Sequence, residues 1–151
     1  MTTPALSIVI PAFNEAASIE DVVKEAISVF EAGLESFEII VVDDGSDDDT
    51  AGALGPLSKS DPRVRVIRHP NRSGKSAGLR TGFLAARAIW VATMDGDGQD
   101  DPRSVVEMSK AIDLNSVGKV GVVAGCRQNR TDGANRKFAS RFANGLRRLP
   151  K

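Results

Sequence analysis

"FEIIVVDDGSDDDT", residues 37–50, sets the fold class. Five of its first six residues are apolar, and the run stops abruptly at Asp43 and Asp44. A strand buried on both faces reads as a near-continuous apolar run, whereas a half-buried strand alternates. Similar runs are "LSIVIPA" (6–12), "VRVIRH" (64–69), "IWVATMD" (89–95) and "KVGVVAGCR" (119–127). Helical patterns separate them. In residues 18–32, Ile19, Val22, Val23, Ala26, Ile27 and Phe30 recur at helical spacing, with Ser18 placed to cap and Gly33 to end the helix. Further helices are expected over 49–60 (weakened by Gly55 and Pro56), 75–88, 101–115 (Pro102 in the first turn) and 136–149. Five strand–helix alternations predict an α/β domain with a mostly parallel sheet and helices on both faces.

In such sheets ligands bind beyond the carboxyl ends of the strands, where strand order reverses. The polar clusters fall at those ends: "PAFNE", "DDGSDDD", "DGDGQDD" and "CRQNR". One sheet edge is therefore expected to gather Glu15, Asp43, Asp44, Asp95 and Asp97.

Length and composition bound the rest. The 151 residues suit one domain, spanning 1–151. No apolar stretch approaches the ~18 residues needed to cross a bilayer, and "MTTPALSIVIP" lacks a basic region ahead of its apolar run. Cys126 is the single cysteine, which excludes an internal disulfide and fits a reducing cytoplasm. The net charge of zero hides a polarity. Residues 1–118 carry 11 Lys and Arg against 19 Asp and Glu, while residues 119–151 carry 9 against Asp132 alone. That basic tail is either a solvated face or a surface for an anionic partner.

Several motifs fail on inspection. "GKS" (74–76) suggests a phosphate loop, but His69 stands where the first glycine belongs. A helix start with small residues and Lys75 can still meet a phosphate. Read as an EF-hand from Asp95, the loop has Asp100 where Gly is required and Val106 where Glu is required. No dinucleotide fingerprint follows the first strand, and His69 is the only histidine available to a catalytic triad. What remains is Asp95-Gly96-Asp97-Gly98-Gln99. Four carboxylates within residues 95–101 repel one another unless a cation joins them. Hard oxygen ligands suit Mg2+ or Mn2+. An acidic helix cap accounts for Asp100 or Asp101, but poorly for Asp95 and Asp97.

Together, "VIPAFNE", "VVDDGSDDDT", "NRSGKSAGLRTG", "MDGDGQDDP" and "GCR" followed by "RKFASRFAN" resemble the family 2 glycosyltransferases of GT-A fold. The similarity is nearest to polyprenyl-phosphate sugar transferases of the dolichol-phosphate mannose synthase type and runs from about residue 6 to residue 145. The resemblance implies that Pro11, Phe13, Glu15, Val42 and Asp44 line a nucleoside pocket, with Asp95 and Gly96 approaching the ribose and diphosphate. It implies that Asp97, the catalytic candidate, holds a divalent metal with Gln99 and Asp95. Arg127, Arg136 and Ser140 would receive the acceptor phosphate. It also implies inversion at the anomeric carbon, a UDP- or GDP-sugar donor, a polyprenyl phosphate acceptor, and work at the cytoplasmic face of a membrane rather than on nucleic acid. Oligomeric state is left open.

Residues 6–130 would form the nucleotide-sugar and metal-binding core, and 131–151 a basic amphipathic helix. In that helix Phe138, Phe142, Leu146 and Leu149 share one face, flanked by Arg136, Lys137, Arg141, Arg147, Arg148 and Lys151. Such a pattern suits a membrane interface or packing on the sheet. Family members continue past this helix, so a truncated domain lacking the C-terminal part of the fold is expected. A family 2 enzyme acting on a saccharide or protein acceptor, and a nucleotide-binding module without turnover, are the competing readings.

Overall fold

The computed structural model describes residues 3–110. The expected strand at 119–127, the helix at 136–149, and Arg127, Arg136 and Ser140 lie outside the described residues.

The order is β1 (Leu6–Ala12), α1 (Ile19–Gly33), β2 (Phe37–Asp43), α2 (Thr50–Ala53), α3 (Gly55–Ser60), β3 (Val64–Arg68), α4 (Lys75–Ala85), β4 (Trp90–Thr93) and α5 (Pro102–Lys110). The four described strands form a parallel sheet in the order β3-β2-β1-β4. Chain order runs outward from β1 to β3 and then jumps to the other side of β1. The reversal point therefore lies between β1 and β4.

Two faces explain the unbroken apolar runs. On one, Ile8, Ile10, Ile39 and Val41 pack with Ile19, Val23, Ala26 and Phe30 of α1 and with Val105 and Val106 of α5. Gly33 is the last residue of α1. A Cβ there would lie 2.5 Å from Val106 Cγ1, so this glycine serves the α1–α5 approach. On the other face α4 packs on β1 and β2. Gly78 and Gly82, one turn apart, bring the helix down: a Cβ on Gly82 would lie 2.2 Å from Val9 Cγ1. The small-residue block of the sequence is thus a close helix–sheet contact.

Several boundaries differ from expectation. The helix at 49–60 divides at Leu54 into α2 and α3, with Pro56 in the first turn of the second. α4 ends at Ala85 and β4 is shorter than "IWVATMD" suggested. Ser18 makes no side-chain capping bond. Its hydroxyl turns toward Glu15 and the Gly96 carbonyl instead. Asp101 does cap α5, accepting the Arg103 N–H at 2.9 Å, while Asp100 accepts the Asp95 N–H at 2.9 Å.

At the amino ends of the strands sits a polar cluster with no sequence signature. Glu38, on β2 and nearly inaccessible, accepts bonds from Ser7 Oγ (2.8 Å), the Arg87 N–H (2.7 Å) and Arg65 Nη1 (3.1 Å). Arg65 also donates to the Ala85 carbonyl, so the cluster ties down the end of α4.

Candidate functional site

The carboxyl ends of β1, β2 and β4 open onto a cleft of about 230 Å³ at the reversal point. Each wall follows from local sequence. After β1 the chain passes through Asn14 at φ 57, in the left-handed region that Asn tolerates better than most residues. The Asn14 N–H donates to Ser46 Oγ (3.0 Å), and Asn14 Oδ1 accepts the Asp47 N–H (2.9 Å). The Glu15 N–H donates to Thr50 Oγ1 (2.9 Å) and the Ala16 N–H to Asp48 Oδ2 (3.1 Å). The loop after β1 is thereby stitched to the loop after β2, which fixes Phe13 and Glu15 at the rim.

The Asp43-Asp44-Gly45-Ser46 turn divides its labour. Asp43 is fully buried and accepts the Ser46 N–H at 2.9 Å. Arg68 Nε stands 3.3 Å from its other oxygen, an ion pair without a hydrogen bond. Gly45 has φ 71, and a Cβ there would lie 2.5 Å from the Asn71 carbonyl carbon. Asp44 faces the cleft, yet its carboxylate already accepts bonds from His69 Nδ1 (2.8 Å), the Ser73 N–H (2.9 Å) and the Gly74 N–H (2.6 Å). A carboxylate only accepts, so Nδ1 carries the proton; Nε2 meets Thr81 Oγ1 at 2.8 Å. Burial pushes the Asp44 carboxyl up, but the bonds from His69, Ser73 and Gly74 outweigh it and hold the group below the usual aspartate range. Three of roughly four acceptor positions are used.

The third wall is the loop after β4. Gly96 packs into a tight place, where a Cβ would stand 3.1 Å from Ile19 Cδ1. Asp97 Oδ1 accepts the Gln99 N–H at 3.0 Å, and Gly98 turns the chain at φ 76. Two cationic side chains complete the cleft. The Arg72 guanidinium lies 4.0 Å from the centre of the Phe13 ring, and Lys75 Nζ lies 2.5 Å from Asp95 Oδ1.

Of the residues expected from the sequence, Pro11, Phe13, Glu15, Asp44, Asp95, Gly96 and Asp97 all border this cleft. Two do not. Val42 is fully buried on β2, and Gln99 lies beyond the lining, with only its backbone bonded to Asp97. Asp43 is turned away from the edge it was expected to share. Arg72 and Lys75 entered with the loop that Asp44 organises. Lys75 was expected from the sequence to meet a phosphate at a helix start, whereas Arg72 was not singled out.

Among the described residues no three His, Cys, Asp or Glu side chains converge into a metal cage. Asp95 and Asp97 instead present two carboxylates at one rim. That donor set suits Mg2+ or Mn2+, which commonly take one or two carboxylates and complete their shell with water and substrate phosphates. The Lys75 ammonium is paired with Asp95 at this rim.

A parallel sheet with an acidic strand-end cleft at its reversal point defines an open-sheet α/β domain with its ligand site at the strand ends. The profile described as Glycosyl transferase family 2 matches residues 7–150, and the chain belongs to that family. It is 33% identical over 143 residues to the dodecaprenyl-phosphate galacturonate synthase of Rhizobium johnstonii, covering 93% of this chain and 41% of that protein. It is 35% identical over 153 residues to the undecaprenyl-phosphate 4-deoxy-4-formamido-L-arabinose transferase of Sodalis glossinidius, covering 97% of this chain and 45% of that protein. The chain thus spans less than half the length of these relatives. Among solved structures, a mannosyltransferase of Pyrobaculum calidifontis in complex with GDP-Man and Mn2+ superposes with a TM-score of 0.61 at 24% identity, over 73% of this chain and 32% of that one. The fold is of the GT-A type, as the resemblance implied.

Proposed function

We propose that the domain is the donor-binding part of a metal-dependent, inverting transferase that moves a sugar from a UDP- or GDP-sugar to a polyprenyl phosphate. The observation that carries this is the meeting of Asp95, Asp97 and Lys75 with Glu15 and Asp44 around one cleft at the strand-order reversal. The relatives named for polyprenyl-phosphate sugars support the acceptor class.

Glu15, held at the rim by the stitched loops, accepts bonds from ribose hydroxyls or a base N–H. Phe13 and Arg72 form a flat apolar and cationic wall beside the nucleoside. Asp95 and Asp97 are the residues that would hold a divalent cation, with the Gln99 backbone N–H supporting Asp97 from the same turn. When bound, that cation would neutralise charge growing on the departing diphosphate. The acceptor phosphate oxygen attacks the anomeric carbon and forms the new C–O bond. The bond from that carbon to the β-phosphate oxygen breaks, and nucleoside diphosphate leaves with its electron pair. A phosphate oxygen is already anionic at neutral pH, so no proton has to be removed, and the absence of a histidine acting on substrate is consistent with the reaction.

Arg127, Arg136 and Ser140 are proposed to receive the acceptor's phosphate, the arginines through paired guanidinium bonds. The basic tail would meet an anionic membrane surface at the cytoplasmic face. Among the described residues no helix is long and apolar enough to cross a membrane.

Thermal-shift and turnover measurements test the whole. Nucleoside diphosphate should stabilise the chain more with Mn2+ or Mg2+ than with chelator. In a full-length version, Arg127→Ala with Arg136→Ala should impair transfer to polyprenyl phosphate more than donor binding. Equal loss of both would move the arginines to the donor side. Turnover with a saccharide acceptor alone would overturn the lipid assignment, and nucleotide binding without any turnover would leave a binding module.

A further inference from the structure

The Lys75–Asp95 pair lies on the rim proposed to hold the cation. Lys75 opens α4 directly after Gly74, whose N–H is tied to Asp44, so the root of the lysine is fixed while its ammonium sits at the end of a flexible four-carbon stem. The ammonium lies 2.5 Å from Asp95 Oδ1, and both side chains remain partly exposed, at 60% and 37%. An exposed pair of this kind is weak and readily exchanged. A second cation brought to the same carboxylate would be repelled by the ammonium. An anionic phosphate oxygen entering the cleft would compete with Asp95 for the same ammonium, whose three donors swing on a four-carbon stem.

We propose that Lys75 is the resident counter-ion of Asp95, released from it by the donor's diphosphate, so that cation uptake at Asp95 and Asp97 is tied to donor uptake. The chain then holds a divalent cation poorly by itself and well together with a nucleoside diphosphate. The coupling is reciprocal: the diphosphate gains the ammonium that the carboxylate gives up. This inference rests on the metal–diphosphate reading of the cleft and adds an order to it.

The test is Mn2+ binding to the full chain, followed by electron paramagnetic resonance of free Mn2+ or by calorimetry, first alone and then with saturating UDP or GDP. Circular dichroism checks that each variant is folded. Lys75→Met should bind Mn2+ alone roughly fivefold more tightly than the parent, and should gain less Mn2+ affinity when nucleotide is added. Lys75→Arg keeps the charge and should restore weak Mn2+ binding without nucleotide. If Lys75→Met binds Mn2+ alone no better than the parent, while Asp97→Asn abolishes Mn2+ binding, the counter-ion role is refuted and the metal–diphosphate reading stands. If neither parent nor variants bind Mn2+ with or without nucleotide, both fall.

Discussion

The Asp44 carboxylate receives the Gly74 N–H at 2.6 Å, which places an acidic group of β2's end on the first turn of α4. Negative charge is favoured at a helix N-terminus, and here it also accepts the Ser73 N–H and the His69 ring. Asp44→Ala should therefore cost about 1–3 kcal/mol of stability, because two backbone N–H groups lose a buried acceptor. Urea unfolding measures this. Stability equal to the parent's would mean the bonds are not formed in solution. Nucleotide affinity should fall as well, and calorimetry on material folded at low temperature separates the two effects.

The α4–β1 contact gives a pair of opposed expectations. Gly82→Ala pushes a methyl group into fully buried Val9 and should destabilise by about 1–3 kcal/mol. Gly78→Ala meets only ordinary contacts, the nearest being Pro11 Cβ at 3.4 Å. It should leave stability unchanged or raise it by up to about 1 kcal/mol through helix propensity. Equal effects at both positions would contradict the seating of the helix.

Asp97 and Gln99 should separate in the metal response. Asp97→Asn is expected to remove most of the extra stabilisation that Mn2+ gives with nucleoside diphosphate. Gln99→Ala should keep most of it, since the Gln99 backbone N–H rather than its side chain supports Asp97. Thermal shift with and without chelator reads both. A Gln99→Ala variant as unresponsive as Asp97→Asn would make the amide a ligand.

Acid should destabilise the chain partly through Glu38. Burial pushes its carboxyl up, but the Arg87 N–H, Ser7 and Arg65 together outweigh burial and leave it below the ordinary glutamate value. The unfolded chain therefore binds the proton more readily. Glu38's contribution is complete above the ordinary value and is lost as pH falls through the depressed one. Glu38→Gln should be less stable at neutral pH and should show a flatter loss of stability from roughly pH 5 to 3. An unaltered slope would exclude Glu38 from acid unfolding.

The sequence carried the architecture because burial has a period. Ile19, Val22, Val23, Ala26 and Phe30 are all buried, as their spacing required, and β1 and β2 are buried on both faces. The cleft was legible for the same reason, since polar residues that interrupt apolar strands must lie at strand ends. Side-chain partners were not legible. Glu38 is one polar letter in an apolar run, and its three partners come from three distant segments. His69 reads as an isolated residue until the fold brings Asp44 and Thr81 to either side of its ring. Ser18 looked like a cap, but its backbone, at φ −121 and ψ −29, turns the hydroxyl away from the helix.

The four bonds from Asn14, Glu15 and Ala16 to residues 46–50 have a consequence for how such a domain can change. Neither loop can be exchanged alone without leaving the other's backbone groups unmatched. Transplanting one rim segment from a relative should give misfolded or poorly fitting hybrids, whereas moving both together should transfer intact. The two segments form a single unit of inheritance, separated by an entire helix and strand in the chain. Any drift in what the cleft accepts must pass through paired changes on both sides of that gap.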